Sequence, residues 1–494
     1  MTKSFLLAGL LQNNYLPAQK KRKDELPPCF SSLSFTTAVA KSLIGSGTHP
    51  DRAGLGYDAV EYLGTKFNGV PRVFHIPHPA AYAALCICIH DNWSKLSSIC
   101  NNPNSMVVPQ RHRDGRVIIM DYDASAEKNR RALKSRFGCR FAVEADIAGC
   151  FPSIYSHAVP WAIVGPKLAK SKIKPTPWYD DLDRFTRTCK RKETQGVAIG
   201  PATSNILVET ILHKVDEQLR LEFAFSRYID DYTAYCATED EARLFIVKLS
   251  DELRKYKLLL NARKTRIFPL PQPVEQAWKT ELSLALRCPR SLSSTSVVTI
   301  LDAALAIHRR NPDGSVLKYA VNTLASKKLN AKVAADLLDY VWDLSLYQPA
   351  LLPALAGLIK KAHAGKSTIL RKRLNSIALD NARFRRSDGM AWCVYYLNLY
   401  AHAATTELAT EIVVSRDCLS LLLLYKGPNR GNRQLVVDFV ATLDHADIHE
   451  LDQYWLLLYE MFRDGAIINP YGNQDSAFTL MKQAGVQFFV GTKP

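Results

Sequence analysis

The sequence predicts an α+β domain over residues 71–273, followed by an all-helical domain over residues 274–494. In the first region, short apolar runs with strand character alternate with amphipathic helical patterns, which is typical of an α+β domain. The proline-rich stretch PLPQP at residues 269–273 ends this alternation, and apolar residues then recur at three- and four-residue spacing. Residues 1–70 are expected to form an irregular lead-in with short helices.

The individual elements follow from local periodicity. FAVEADI at 141–147 has the composition of a strand, and ATSNILVETILHKVDEQL at 202–219 has apolar residues at helical spacing. RYIDDYTAYC at 227–236 has aromatic and apolar residues on both sides of an acidic pair, which predicts a hairpin. Beyond residue 273, segments such as KVAADLLDYVWDL indicate stacked helical pairs. A solenoid is one interpretation of these stacked pairs, although the sequence contains no exact repeat.

The charge balance limits the classes of partner. The 494 residues include 64 Lys and Arg against 47 Asp and Glu, a formal net charge of +17. Nucleic acid is the first candidate for a polyanionic partner and an anionic membrane the second, while a basic surface that serves only solubility is the alternative. The 11 cysteines include no CxxC pair, which favours a reducing cytoplasm. No run approaches the ~20 apolar residues that a membrane-spanning helix needs.

Acidic residues stand where predicted strands end. Asp146 closes the strand FAVEAD, and Asp230 and Asp231 lie at the tip of the predicted hairpin. If these strands are neighbours, the carboxylates converge across about 5 Å, the spacing of paired strands. Clustered carboxylates suit hard Mg²⁺ ions, and a pair of such ions activates an attacking oxygen and stabilises a leaving group in phosphoryl transfer. Taken singly, an Asp after a strand is more often a turn residue.

Four segments in order carry a specific resemblance. EADIAGCFPSI with Asp146, QGVAIGPATSN at 195–205, YIDD at 228–231 and LNARKT at 260–265 resemble the A, B, C and D motifs of reverse transcriptases. The resemblance implies a right-hand polymerase with fingers and palm over residues 71–273, and the helical domain follows it. It also implies RNA-directed DNA polymerase activity with deoxynucleoside triphosphates (dNTPs) as substrates.

The resemblance also implies the roles of individual residues. Asp146 and Asp230 would be the principal ligands of two Mg²⁺ ions, for which Mn²⁺ can substitute, with the backbone carbonyl of Ile147 as an extra oxygen. Asp231 would be a supporting acid. Phe151 would pack against the sugar and exclude a 2′-hydroxyl, which favours deoxynucleotides, although a core aromatic fits the same position.

Further residues would contact the nucleotide. The family's B motif places Gln195 and Gly196 beside the base pair, where glycine lets the backbone approach closely. Lys264 would lie near the triphosphate as a candidate general acid. Among the basic residues before the strand at 141–147, we expect one or two of three to bind phosphates: Lys134, Arg136 and Arg140.

The sequence departs from ordinary templated enzymes around the B motif. Glu193-Thr194 replaces the usual Leu-Pro, and Gly200-Pro201 replaces Ser-Pro, so template contacts are expected to differ. The IGP form at 199–201 and the long helical tail resemble the abortive-infection and defence-associated reverse transcriptases of bacteria. That branch implies antiviral activity, protein-primed or template-independent DNA synthesis, and homo-oligomers. An RNA, as template or accessory non-coding RNA, and a partner protein are further expected partners, without a membrane.

Two alternatives remain open. One keeps the chemistry but assumes conventional copying of RNA, as in retron or intron enzymes. The other is a nucleic-acid-binding scaffold whose polymerase fold is catalytically silent. The three aspartates argue against a scaffold, because clustered like charges cost stability when no metal neutralises them.

Overall fold

The structure is a computed structural model that describes residues 1–20, 22–45, 52–66, 69–120, 125–171, 174–287, 292–312, 315–472 and 476–492. Its strands form a two-stranded and a four-stranded sheet, both antiparallel. The strands are β1 (Ala59–Thr65), β2 (Pro71–Pro77), β3 (Phe141–Asp146), β4 (Phe225–Tyr228), β5 (Asp231–Cys236) and β6 (Arg266–Pro269).

The four-stranded sheet has the order β4-β5-β3-β6 and two chemically different faces. Side chains alternate between the faces of a strand, so the buried Val143, Ala145, Tyr232 and Ala234 share one face. This face packs on two helices, α10 (Ala202–Leu219) and α11 (Glu239–Lys255), which cover it from solvent. The opposite face carries polar and acidic side chains. The sheet therefore presents its acidic face away from the core.

The remaining helices before residue 273 surround this sheet. They are α1 (Lys3–Ala8), α2 (Thr37–Gly45), α3 (Pro79–Asp91), α4 (Trp93–Leu96), α5 (Ser125–Arg136), α6 (Cys150–Ser153), α7 (Ala158–Val164), α8 (Pro166–Ala169) and α9 (Trp178–Thr188). A π-helix spans Gly9–Asn13, and 3₁₀ helices span Arg52–Gly54 and Ser97–Asn101. The predicted strand, hairpin and long helix all lie where the periodicity indicated. The mixed α+β prediction is confirmed.

Beyond residue 273 the described residues form helices without a further strand, which confirms the predicted helical region. The helices are α12 (Ala277–Ala285), α13 (Ser294–Arg310), α14 (Val316–Ser326), α15 (Ala331–Tyr347), α16 (Leu355–Lys361), α17 (Thr368–Arg383), α18 (Ser387–Leu399), α19 (Thr406–Ser415), α20 (Cys418–Tyr425), α21 (Arg430–Ala441), α22 (Ile448–Gln453), α23 (Trp455–Arg463) and α24 (Ala477–Gln483), with a 3₁₀ helix at Pro349–Ala354.

Short polar residues set the starts of many of these helices. Ser293, Asn330, Thr405, Asp417 and Asn429 each accept a backbone N–H of the first turn through the side chain. Such caps satisfy N–H groups that have no partner inside the helix. The caps, together with the apolar residues at helical spacing, explain why the chain forms successive helical hairpins here.

The helical region packs directly on the β1–β2 hairpin. Trp455 Nε1 donates to the Ile76 carbonyl at 3.0 Å, and Asp388 accepts from Thr65 N and Oγ1, each at 2.8 Å. The lead-in also joins this core, because the Tyr15 ring stacks at 6.3 Å on that of Trp455. The β1–β2 hairpin spans residue 70, where the sequence predicted a domain boundary. The division of the chain into domains at residues 70 and 273 stays a prediction.

Candidate active site

The ends of β3 and β5 bring acidic residues together. Asp146 and Asp231 are register partners across the antiparallel pair, which places their Cα atoms about 5 Å apart. The Ile147 amide donates to the Asp230 carbonyl at 3.2 Å, so the chain after β3 is also tied to the tip of the hairpin. Asn261 and Lys264, which are distant from Asp146 along the chain, close the site from the other side.

The hairpin between β4 and β5 is tight and strained. Tyr228 pairs with Asp231, which leaves Ile229 and Asp230 as the turn. Ile229 has φ +58°, a left-handed conformation that a β-branched residue rarely adopts. Strain of this kind persists only where the surroundings hold it and is concentrated at functional sites.

A buried ion network holds the turn in place. The Arg227 side chain is fully buried and donates to the Ile229 carbonyl at 2.8 Å. Its guanidinium also binds Glu209 at 2.8 Å and Asp216 at 2.6 Å, both on α10. A buried charge left without its partners costs several kcal/mol, so Arg227 fixes the hairpin against the helix behind the sheet. Nothing near residue 227 in the sequence indicates this network, because Asp216 and Glu209 are 11 and 18 residues away along the chain.

Burial and neighbouring like charges raise the pKa values of two of the acidic residues. Burial, followed by the charge of Asp146, raises the pKa of Asp230. Burial, followed by the charges of Asp230 and Asp146, raises the pKa of Asp231 to about 7. The Asp231 side chain is nevertheless exposed to solvent, so screening reduces the free energy that this shift represents. Part of the site is therefore protonated near neutral pH until a cation arrives.

The Asp146 carboxylate already has two partners. Asn261 Nδ2 donates to Oδ1 and Lys264 Nζ donates to Oδ2, both at 2.9 Å. The bond to Asp146 is the main cause of the raised pKa of Lys264. The ammonium of Lys264 thus stands beside the carboxylate where a metal cation would bind.

The donor set suits a hard divalent cation, because carboxylate and carbonyl oxygens are the ligands that Mg²⁺ prefers. Within the described ranges, however, no three His, Cys, Asp or Glu side chains are grouped closely enough, as they stand, to hold a metal ion. Lys264 hydrogen-bonds to one oxygen of Asp146, so its ammonium and a bound cation would compete for the same carboxylate. Reverse-transcriptase domains depend on a divalent metal in general; the identity of the ion stays a prediction.

The B-motif residues lie against the turn that follows β3. Gly196 has φ +82°, and a Cβ there would lie 3.0 Å from the Pro152 carbonyl oxygen, so glycine is required. Gln195 Nε2 donates to the same carbonyl at 3.1 Å. Val197 N donates to the Phe151 carbonyl at 3.0 Å, and the Phe151 ring is half-buried. The structure thus brings Phe151, Gln195 and Gly196 together.

The three basic residues predicted to bind phosphates lie on α5 and just before β3, and Arg136 lines a cleft that also contains Asp231. Lys134 is exposed on α5, and Arg136 Nη1 donates to the Gln272 carbonyl at 2.6 Å. Arg140 precedes β3 and lies six residues from Asp146, about 20 Å along the strand. The binding of phosphates by these three residues stays a prediction.

Two cations at the tip of the β1–β2 hairpin were missed. Burial, followed by the charges of Arg72 and Lys264, lowers the pKa of Lys66. The charge of Arg72 also acts on Asp230 and opposes the rise of its pKa. Lys66, Arg72 and Lys264 therefore form a positive group beside the carboxylates. No motif marks residues 66 and 72, and only the fold brings them to the site.

A cleft lies over the polar face of the four-stranded sheet. Its volume is about 350 Å³, and α5 and residues 270–276 form its other wall. Lys128, Arg131 and Arg136 line it from α5, opposite Asp231. The cleft therefore leads from a cationic helix to the acidic edge of the sheet.

An antiparallel sheet with carboxylates at one edge, helices behind it and a cationic hairpin beside it defines a palm-type nucleotidyltransferase. Residues 94–283 match the family model described as reverse transcriptase (RNA-dependent DNA polymerase). This match indicates that the chain is an enzyme of the RNA-directed DNA polymerase class. No match was found among curated protein sequences.

Solved telomerase structures are also similar. Apo telomerase from Candida tropicalis has a TM-score of 0.33 at 12% identity, over 83% of this chain and 73% of that chain. The same telomerase with a TWJ fragment of telomeric RNA has a TM-score of 0.33 at 14% identity, over 83% and 68%. Telomerase from Candida albicans with a TWJ fragment of telomeric RNA has 0.30 at 12%, over 71% and 68%. At these scores the similarity carries no further argument. Among the described helices, none has the length and apolar character needed to cross a membrane.

Proposed function

We propose that this chain is a reverse-transcriptase-type DNA polymerase that acts in bacterial antiviral defence and transfers nucleotides from dNTPs with two Mg²⁺ ions. The observation that carries the polymerase part is the register pairing of Asp146 with Asp231 beside a turn held by Arg227. The defence role is supported by the resemblance of the IGP segment and helical tail. A cytoplasmic location and a homo-oligomeric state belong to the same proposal.

In this mechanism Asp146, Asp230, Asp231 and the Ile147 carbonyl would hold the ions. When bound, the ions would activate the attacking 3′-oxygen and stabilise the leaving pyrophosphate. Burial and like-charge repulsion raise the pKa values of Asp230 and Asp231, and a bound cation would offset both costs. The strained turn fixes these oxygens before substrate arrives, which avoids an ordering cost during the reaction.

The triphosphate would be held by the cationic group on the other side. Lys66 and Arg72 reach the site from the β1–β2 hairpin, and Lys264 reaches it from the segment before β6. Lys264 would move from Asp146 to a phosphate oxygen, where its ammonium would serve as a proton donor to the leaving group. Phe151 and the backbone at Gly196 would enclose the sugar and base.

Template use separates this proposal from the conventional alternative. The Gly200–Pro201 start of α10 lacks the family's hydroxyl, and Gly200 packs so closely against Pro17 of the lead-in that a Cβ on residue 200 would lie 3.0 Å from Pro17 Cγ. Gln19 Nε2 also donates to the Gly200 carbonyl at 2.5 Å. The lead-in therefore packs around Gly200, the position at which the family's template contact is expected. This packing favours protein-primed or template-independent synthesis.

Sequencing the product of the purified protein, with each dNTP alone and all together, tests the proposal. A homopolymer or short repeat made without added template supports template-independent synthesis. Faithful copying of added RNA, and no product without it, would support a retron- or intron-type enzyme instead. Mass spectrometry of the 5′ end of the product determines whether it is attached to protein, and co-purified RNA or a partner protein is identified in the same preparation.

The substitution Asp230→Asn distinguishes an active polymerase from a catalytically silent scaffold. The substitution keeps the size of the side chain and removes one charge from the metal site, so DNA synthesis and protection against phage in a plaque assay should both be lost. Undiminished protection with the Asn variant would support the scaffold. Asp240→Asn, at an exposed acid on α11, is the matched control and should retain both activities.

A further inference from the structure

One end of the helical region forms a continuous surface. Successive helices run back and forth, so alternate connections lie at the same end. Four of them are residues 325–332, 360–372, 399–405 and 426–433. We call their combined surface the basic rim.

Direct contacts join the first three connections. Lys361 Nζ donates to the Ala325 carbonyl at 2.6 Å and to the Lys327 carbonyl at 2.9 Å. His402 Nε2 lies 3.0 Å from the Gly365 carbonyl oxygen. Neighbouring helical hairpins therefore bring their connections side by side.

The fourth connection continues the same edge. Asn432 Nδ2 donates to the Ala404 carbonyl at 3.0 Å, and Asn398 Nδ2 donates to the Leu423 carbonyl at 2.7 Å. Packed helices lie about 8–10 Å apart, so four successive hairpins extend the rim over about 30 Å. A flexible strand of several nucleotides could follow a surface of this length.

Three of the four rim segments carry Lys or Arg side chains, while residues 399–405 contain neither. The four segments contain no Asp or Glu. Lys426 is paired with Glu460 at 3.2 Å and Asp464 at 2.7 Å. Elsewhere on the rim the following exposed cations have no carboxylate within 4.0 Å in the described part of the chain: Lys328, Lys332, Lys360, Lys366, Lys372 and Arg430.

The opposite end of the same helices has a different composition. Its connections include Asp417 before α20, and Asp444 and Asp447 before α22. These connections also carry Arg385, Arg386 and Arg416, so bases and acids balance at that end, whereas the rim segments have bases without acids. Within the rim, Ile369 is the exposed large hydrophobic side chain, so the surface offers charge and little apolar area for insertion into a membrane or packing against a protein.

We propose that the basic rim binds single-stranded nucleic acid through its phosphates, at a site separate from the polymerase carboxylates. Unpaired cations gain by replacing the counterions that surround a phosphate backbone. Their arrangement along an edge, without an enclosing groove, suits contact with the backbone and gives no base recognition. A DNA product and an RNA share this chemistry. The rim would keep such a strand on the protein during synthesis.

The test uses the full chain and a rim variant, Lys328→Gln/Lys332→Gln/Lys366→Gln/Arg430→Gln. Fluorescence anisotropy with fluorescein-labelled dT20 and rU20, over a series of salt concentrations, measures affinity and salt dependence. Each lost phosphate contact lowers the slope of log K against log salt by about 0.7. We expect a decrease of about 3 in the slope and a loss of affinity on the order of 100-fold at about 0.1 M salt. The oligonucleotide that loses more affinity identifies the strand that the rim prefers.

A matched control changes exposed cations at the other end of the helices, Arg309→Gln/Arg385→Gln, and should leave affinity unchanged. Binding is measured without dNTPs or divalent ions, so failure of the polymerase proposal would not affect this result. Lys366→Glu is a second, single-site variant with a smaller expected loss, and circular dichroism checks that each variant is folded. Unchanged affinity and salt slope in the folded rim variant would overturn the proposal. The proposal would also be overturned if the variant lost affinity for duplex DNA but kept its affinity for both single-stranded oligonucleotides.

Discussion

Replacing Asp231 by Asn should stabilise the metal-free protein, and the gain should appear only as pH rises. The pKa of Asp231 is raised to about 7 in the folded protein, from an ordinary value of 3.8. Between these two values the folded state holds a proton that the unfolded chain has released. The free energy of unfolding contributed by this group is therefore largest below about pH 4 and is lost as pH rises to 7.

The magnitude follows from the spacing of the strands. Two unit charges about 5 Å apart repel by about 1 kcal/mol in water and by about 3 kcal/mol at an effective dielectric constant of about 20. Because the Asp231 side chain is exposed, solvent screening keeps the cost within this range. Asp231→Asn should therefore raise the free energy of unfolding by about 1–3 kcal/mol at pH 8 and by much less at pH 4.

Chemical denaturation at pH 4, 6 and 8 without divalent ions measures this difference. The control Asp240→Asn changes an exposed acid on α11 and should show a difference that is independent of pH. Adding Mg²⁺ at pH 8 should reverse the order, because the unchanged protein gains more from the cation. A lower stability of Asp231→Asn at pH 8, or the same difference at every pH, would refute the account of like-charge repulsion.

Three further substitutions test the rest of the site. Gly196→Ala should abolish synthesis and cost about 1–3 kcal/mol of stability, because it forces a side chain into a left-handed conformation; Gly357→Ala, which meets no atom within 4 Å, is the control in denaturation and activity assays. Lys264→Met should tighten Mg²⁺ binding in calorimetry, because it removes the ammonium that competes for Asp146, and it should lower kcat, because it removes the proton donor. Weaker Mg²⁺ binding would contradict the competition between Lys264 and the cation. Asp388→Asn should raise KM for dNTPs severalfold with little change in kcat, because it loosens the β1–β2 hairpin; a fall in kcat alone argues against a positioning role.

The parts of the fold that sequence predicted are those set by local periodicity. The strand ending at Asp146 and the helix at 202–219 have their signal within one window, and both are present. The pairing of Asp146 with Asp231 also followed, since both lie at strand ends within a recognisable order of motifs. These features depend on the periodicity of apolar residues and on motifs whose residues are adjacent in the sequence.

Long-range charge placement could not be predicted in the same way. Arg227 forms its ion pairs with Glu209 and Asp216 because α10 packs behind the sheet, and nothing near residue 227 indicates them. Lys66 comes near Lys264, and Arg72 near Asp230, only through the path of the β1–β2 hairpin. The basic residues that the sequence did emphasise lie along α5 and just before β3. A cluster of basic residues in a sequence does not indicate how far each side chain lies from the aspartates.

The attachment of the β1–β2 hairpin has a consequence for how the helical region acts. Asp388 holds the end of β1 and Trp455 holds the end of β2, while Lys66 and Arg72 lie between these two anchors. A hairpin fixed at both strands cannot move toward the carboxylates unless the helices move with it. The helical region therefore packs directly on the hairpin that carries Lys66 and Arg72, the two cations proposed to face the triphosphate. A strand on the basic rim and a nucleotide at the aspartates would then be linked through the helices between them, and their affinities would change together because such coupling is reciprocal.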